Sequence, residues 1–180
     1  MLKRFLVPEA DRVFVSEEAV RRATKAIFLE MGQSELDAEQ STDVLVVSDL
    51  RGCESHGVSN MLPAYIEQYR KGEINPNPSW KLERETAGTA VINADRGLGI
   101  ILGRHAMNMA INKAKDVGVG IVTMNNAGHL GAVGHFSMIA AEPLGQTDPF
   151  LIQRAKLSIS CLASGTLGGI FKSSSIRRTA

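Results

Sequence analysis

The chain has 180 residues, 44% hydrophobic and 22% charged, enough for one ordinary globular domain or for one and a fraction. Its formal net charge of +1 gives no bias towards nucleic acid or an anionic membrane surface. Two distant cysteines, Cys53 and Cys161, make neither a metal motif nor a disulfide framework, and MLKRFLVPEADRVFV holds no apolar run of signal-peptide or membrane-spanning length; a cytoplasmic protein without a metal is the expectation.

Ser16 followed by Glu17 and Glu18 predicts a helix start, with a capping hydroxyl and acids at the positive end of the dipole. Val20, Ala23, Ile27 and Met31 continue at helical spacing, and Gly32 is a natural stop. A second helix is predicted from about Leu36 to Asp49, with Ser34 as its cap. Arg51-Gly52-Cys53-Glu54-Ser55-His56-Gly57 then reads as a turn between two glycines. A third helix is expected over Val58 to Lys71, with Met61, Leu62, Tyr65, Ile66 and Tyr69 on one side and Pro63 near its first turn.

Asn75-Pro76-Asn77-Pro78 breaks the pattern and divides a helical region, 1–78, from a region of different character, 79–142. Trp80 to Glu85 and Thr89 to Ala94 are β-prone, Gly99 to Asp116 is a long helix stopped by Gly118, and Val119 to Met124 is a buried-strand candidate. Asn125 to Gly131 is a loop, and a helix follows from about Ala132 to Glu142. The expected fold class is therefore α/β (α+β): helices first, then the start of a mixed sheet layer. Residues 143–180 differ again. From Phe150 onwards there are five basic residues and no acidic one, so the rest of the chain holds fifteen basic residues against nineteen acidic ones. LSISCLASG within this tail permits a hairpin or no fixed structure.

Two segments have the chemistry of a site. In the 51–57 turn, His56 can exchange a proton near neutral pH, Ser55 can hydrogen-bond a substrate oxygen, and Arg51 can pair with a carboxylate. In Asn125-Asn126-Ala127-Gly128-His129-Leu130-Gly131, a second histidine lies where a buried strand meets a helix N-terminus, a frequent address for anionic ligands. For each histidine the alternative is a loop residue without a role. A third segment, Gly97-Leu98-Gly99-Ile100-Ile101-Leu102-Gly103, approximates a phosphate loop. Asp95 and Arg96 separate it from the strand, however, and no acidic ribose partner follows at the needed interval, so a glycine-packed turn into a helix is the better reading. His105 and His135 fall within predicted helices and read as packing or surface residues, and no two histidines stand at metal-ligand spacing.

Taken in order, RG-x-x-SHG at 51–57, GLG with its long helix from 97, and N-x-x-H-x-G at 126–131 resemble the malate/L-lactate dehydrogenase family, which also includes ureidoglycolate dehydrogenase, 2,3-diketogulonate reductase and Δ1-piperideine-2-carboxylate reductase. The resemblance runs from about Val13 to Glu142 and implies a mixed-sheet dehydrogenase domain without the usual Rossmann nucleotide fold. It also implies reversible hydride transfer between NAD or NADP and a small-molecule 2-oxo or 2-hydroxy acid. His56 and His129 would be the catalytic proton donor/acceptor and its partner. Arg51, Ser55 and Asn60 would contact substrate, and Asn126, Gly128 and Gly131 would contact cofactor; a homodimer is the implied assembly. Asn60 stands where the family often has an arginine, so the charge-assisted carboxylate clamp is missing there. Family members are also far longer than this chain, and AEPLGQTDPF resembles a segment that lies later in them, as though an interval near Glu142 were lost. The alternative is an inactive truncated remnant that acts at most as a self-associating or binding fragment.

Overall fold

The computed structural model describes residues 8–11, 13–141 and 158–162. Within them the helices are α1 (Glu17–Glu30), α2 (Glu35–Leu50), α3 (Val58–Arg70), α4 (Gly99–Val117) and α5 (Val133–Ala141), and the strands are β1 (Lys81–Glu85), β2 (Thr89–Asn93), β3 (Ile121–Asn125) and β4 (Ser158–Leu162). The sheet order is β1-β2-β3-β4. β1 pairs antiparallel with β2, while β2, β3 and β4 run parallel, so the sheet is mixed as expected. Of the LSISCLASG segment, Ser158–Leu162 forms a strand; the rest of 143–180 lies outside the described residues.

The predicted capping signals act as local chemistry requires. Ser16 Oγ accepts from the Ala19 amide at 3.3 Å and Ser34 Oγ from the Asp37 amide at 3.2 Å, each satisfying one of the free donors of a first helical turn. Gly118 closes α4 in the left-handed region at φ 81°, where a side chain would be strained. Pro63 departs from expectation: it is the sixth residue of α3, past the first turn, and it is accommodated on the exposed face of that helix. The alternation in β1 also buries no face. All five residues are exposed, and the register shifts between Leu82 and Arg84, features of a bulged, charged edge strand.

One face of the sheet carries the core. Ala90 and Ile92 of β2 and Val122 and Met124 of β3 are at most 2% exposed and join a buried cluster with Leu98, Ile100 and Ala106 of the α4 segment. Phe28, Leu45 and Tyr65 belong to the same cluster, so side chains from both sides of the Asn75–Pro78 breaker share it. The breaker itself is tied down: the Asn75 amide donates to the Arg96 carbonyl at 3.0 Å, and Asn77 Nδ2 donates to the Gly32 carbonyl at 2.8 Å.

The glycines at 97, 99 and 103 serve close packing. A Cβ on Gly99 would lie 2.9 Å from Leu130 Cα and 3.0 Å from the Gly128 carbonyl oxygen, and one on Gly103 would lie 2.5 Å from the Phe136 ring. The 126–131 loop therefore covers the N-terminus of α4, where a phosphate would have to sit.

Candidate active site

β2 and β3 lie in parallel register, with Ile92 opposite Met124 and Asn93 opposite Asn125, so their C-terminal ends sit side by side. The two outgoing loops continue that pairing: Ala94 N donates to the Asn125 carbonyl at 3.0 Å, Arg96 N to the Asn126 carbonyl at 2.8 Å and Gly128 N to the Gly97 carbonyl at 2.8 Å. Asp95, Arg96 and Asn126 adopt positive φ of 49°, 60° and 48°, a cluster of backbone strain at the carboxyl end of parallel strands. This braced pair of loops presents His129. The turn between α2 and α3 presents His56 from the opposite side.

The two imidazoles stack, with ring centroids 5.6 Å apart and planes inclined by 19°. Ser55 Oγ lies 2.9 Å from His56 Nδ1, and Cys53 Sγ lies at 4.0 Å from the same nitrogen. His129 Nδ1 is 2.8 Å from the Tyr65 hydroxyl and accepts the Gly131 amide N–H at 3.3 Å. An amide can only donate, so Nδ1 is the bare nitrogen and the proton of neutral His129 is assigned to Nε2. Burial lowers the pKa of His129 from 6.5, and the charge of His56 lowers it further. Burial pushes the Tyr65 phenol well above its ordinary value, so it stays protonated beside His129.

The residues expected to contact substrate fall around this pair in different ways. Ser55 is bound to His56. Asn60 donates Nδ2 to the Glu54 carbonyl at 2.8 Å, which ties α3 to the histidine turn. Arg51 is exposed at the end of α2, with its guanidinium against the sulfur of Met138. The residues expected to contact cofactor make hydrogen bonds inside the chain. Gly128 N–H goes to Gly97, Gly131 N–H goes to His129, and Asn126 Nδ2 goes to Asn93 Oδ1 at 3.2 Å. A Cβ on Gly131 would come within 2.8 Å of Ile100 and Val44, so that glycine is also needed for packing.

His105 packs against Trp80, with ring centroids 4.3 Å apart and planes tilted by 48°, and His135 is buried on α5 with Nε2 3.8 Å from Asp43 Oδ2, so both lie in helices as expected. Tyr65 is the site residue that periodicity hid. It recurs with Leu62 on the apolar side of α3 and is 1% exposed, so its spacing is that of a core residue. Only the fold brings its hydroxyl to a histidine 64 positions away. Among the described residues, no group of three or more His, Cys, Asp or Glu side chains could hold a metal ion. Among the same residues, no helix is long and apolar enough to cross a membrane.

Residues 15–143 match the family model described as malate/L-lactate dehydrogenase. The chain is 45% identical over 114 residues to an L-sulfolactate dehydrogenase of Methanocaldococcus jannaschii, a match covering 63% of this chain and 33% of that protein. It is 41% identical over 139 residues to a malate dehydrogenase of Pyrococcus horikoshii, covering 73% of this chain and 38% of the relative. The solved structure of malate dehydrogenase from Pyrococcus horikoshii superposes with a TM-score of 0.72 at 37% identity, over 77% of this chain and 39% of that one. The chain thus spans between a third and two fifths of the length of these relatives.

Proposed function

The chain belongs to the malate/L-lactate dehydrogenase family, and from that premise we propose that His56 and His129 are the proton-handling pair for reversible hydride transfer between a nicotinamide cofactor and a small 2-hydroxy or 2-oxo acid. The observation that carries this reading is the stacking of two loop histidines, one from each side of the 75–78 breaker, at 5.6 Å. His129 is the group that gives and takes the proton. It gives the proton from Nε2 as the imidazolium, which leaves the remaining ring proton on Nδ1, where the Tyr65 hydroxyl can accept it; the reverse reaction returns the proton to Nε2, and when Nδ1 is bare the same hydroxyl donates to it. Ser55 orients His56, and its hydroxyl can also hydrogen-bond a substrate oxygen.

A bound nicotinamide supplies the hydride; the residues described here supply the proton and the orientation. Asn126 Nδ2 and the Gly128 and Gly131 amides direct hydrogen bonds to Asn93, Gly97 and His129. Their contribution is to hold His129 in place. Asn60 offers no positive charge to a substrate carboxylate, so Arg51 is left as the candidate cation on this side, with NAD versus NADP and the acid itself open to assay.

The committed donors also favour a second reading, in which this chain keeps the acid–base pair without turnover. One titration separates the two. Trp80 is the sole tryptophan, so energy transfer from it to NADH or NADPH reports cofactor binding directly. Saturable transfer, followed by oxidation of the cofactor with a panel of 2-oxo acids, is the expected result. His129→Ala should then slow turnover by about 10²- to 10⁴-fold. A folded chain that binds neither dinucleotide would exclude turnover by this chain and leave the second reading.

A further inference from the structure

α1 and α2 begin with serines that cap them from within their own sequence, whereas α3 begins at Gly57, which has no side chain to do so. The missing oxygen comes from elsewhere. Asp49, the penultimate residue of α2, accepts the Val58 N–H through Oδ2 at 2.8 Å, and Val58 is the first residue of α3. Its carboxylate occupies the space in which a residue at position 57 would carry its own side chain: a Cβ on Gly57 would lie 1.6 Å from Asp49 Oδ1, 2.3 Å from Cγ and 2.7 Å from Oδ2. No rotamer adjustment of a larger residue at 57 leaves both groups in place. Gly57 has φ −90°, so it is not required there for its backbone conformation.

We propose that Asp49 is a positioning residue: its carboxylate caps α3 in the volume left by Gly57 and thereby fixes Ser55 and His56 opposite His129. The inference deepens the acid–base reading and rests on it for its functional consequence, but the geometry it claims can be tested separately. The turn is held at both ends by short bonds. Cys53 N donates to the Ser48 carbonyl at 2.8 Å, Gly57 N donates to the Glu54 carbonyl at 3.1 Å, and Asn60 Nδ2 returns from α3 to that same carbonyl. Among these ties, the Asp49–Val58 bond joins α2 directly to the first amide of α3, immediately after His56. An oxygen acceptor at 49 is what the cap needs, so charge is dispensable. Burial and the nearby Glu54 charge already push the Asp49 carboxyl upward, against the lowering effect of the Val58 amide.

The test is a set of variants of the full chain followed by NMR of its histidine rings. The wild-type chain should give a cross-peak between the His56 and His129 rings. Asp49→Ala should abolish that cross-peak and shift the His56 ring signals while leaving those of His105 unmoved. Asp49→Asn keeps an acceptor for Val58 N–H and should restore the wild-type pattern. Gly57→Ser alone should clash with the carboxylate. Combined with Asp49→Ala it should regain the cross-peak, because the serine would then cap α3 as Ser16 and Ser34 cap α1 and α2. If Asp49→Ala fails to fold, the double variant decides: a folded chain with the cross-peak upholds the role, and an unfolded one overturns it. An unchanged cross-peak in folded Asp49→Ala also overturns it. Neither result bears on whether the chain turns over substrate, which the dinucleotide titration measures.

Discussion

At the scale of single residues, the site is a set of partner choices that fix protonation. His129 loses basicity through burial and through its neighbour His56, so replacing His56 by Gln should raise the His129 pKa towards 6.5, read from its ring shifts in an NMR titration. A fall or no change would mean that His56 carries no charge near it. The same depression has a consequence for stability. A histidine whose folded pKa is below its unfolded value makes no difference while both states are neutral, and it destabilises the fold once the unfolded chain takes up the proton first. The thermal midpoint should therefore hold above about pH 6.5 and decline as pH falls from there through the lowered value, with His129→Gln flattening that decline. Asp49, whose carboxyl is raised, acts in the opposite sense: its charge costs stability as pH rises through its folded value above 3.8.

At the scale of elements, caps and close approaches do most to set the geometry. Ser34→Ala removes the oxygen that the Asp37 amide donates to and should cost about 1 kcal/mol of unfolding free energy. Gly99→Ala should cost more, about 1–3 kcal/mol, because its methyl meets the backbone of Leu130 and Gly128, which cannot swing aside as a side-chain tip would. Denaturant midpoints measure both. A Gly99→Ala midpoint equal to that of wild type would mean that the 126–131 loop is not seated on α4 as described. Because that loop carries His129, the variant should also disturb the His129 ring environment, which Ser34→Ala should leave alone.

At the scale of the whole molecule, the helical region and the sheet share one interior. Phe28 of α1 and Ile92 of β2 are both fully buried in it. Phe28→Ala and Ile92→Ala should each cost about 2–5 kcal/mol and should lower a single cooperative transition by fluorescence and circular dichroism alike. Separate transitions for the two halves would show that the shared interior is not what couples them. Among the described residues, the mixed sheet runs from the charged strand β1 on one side to β4 on the other.

The sequence by itself determined what depends on near neighbours along the chain. Ser16 and Ser34 mark helix starts, Gly118 a helix stop, and the β-prone run Thr89–Ala94 and the apolar run Val119–Met124 a pair of strands, because capping, φ and strand propensity are local properties. The two histidine loops were legible as candidate sites for the same reason: polar, glycine-bearing segments stand where helices and strands end. The tertiary structure decided everything that rests on contact across the fold. Tyr65 looked like one more apolar position of α3 until its hydroxyl met His129, and Asp49 looked like a helix end until its carboxylate filled the space beside Gly57. The glycines at 97, 99 and 103 read as a close-packed turn in the sequence, and only the fold shows what they pack against: Pro78, Leu130 and Phe136. A pattern in sequence records which side chains share a face; only the packed chain determines what that face meets, because the partners lie dozens of residues away and are chosen by shape.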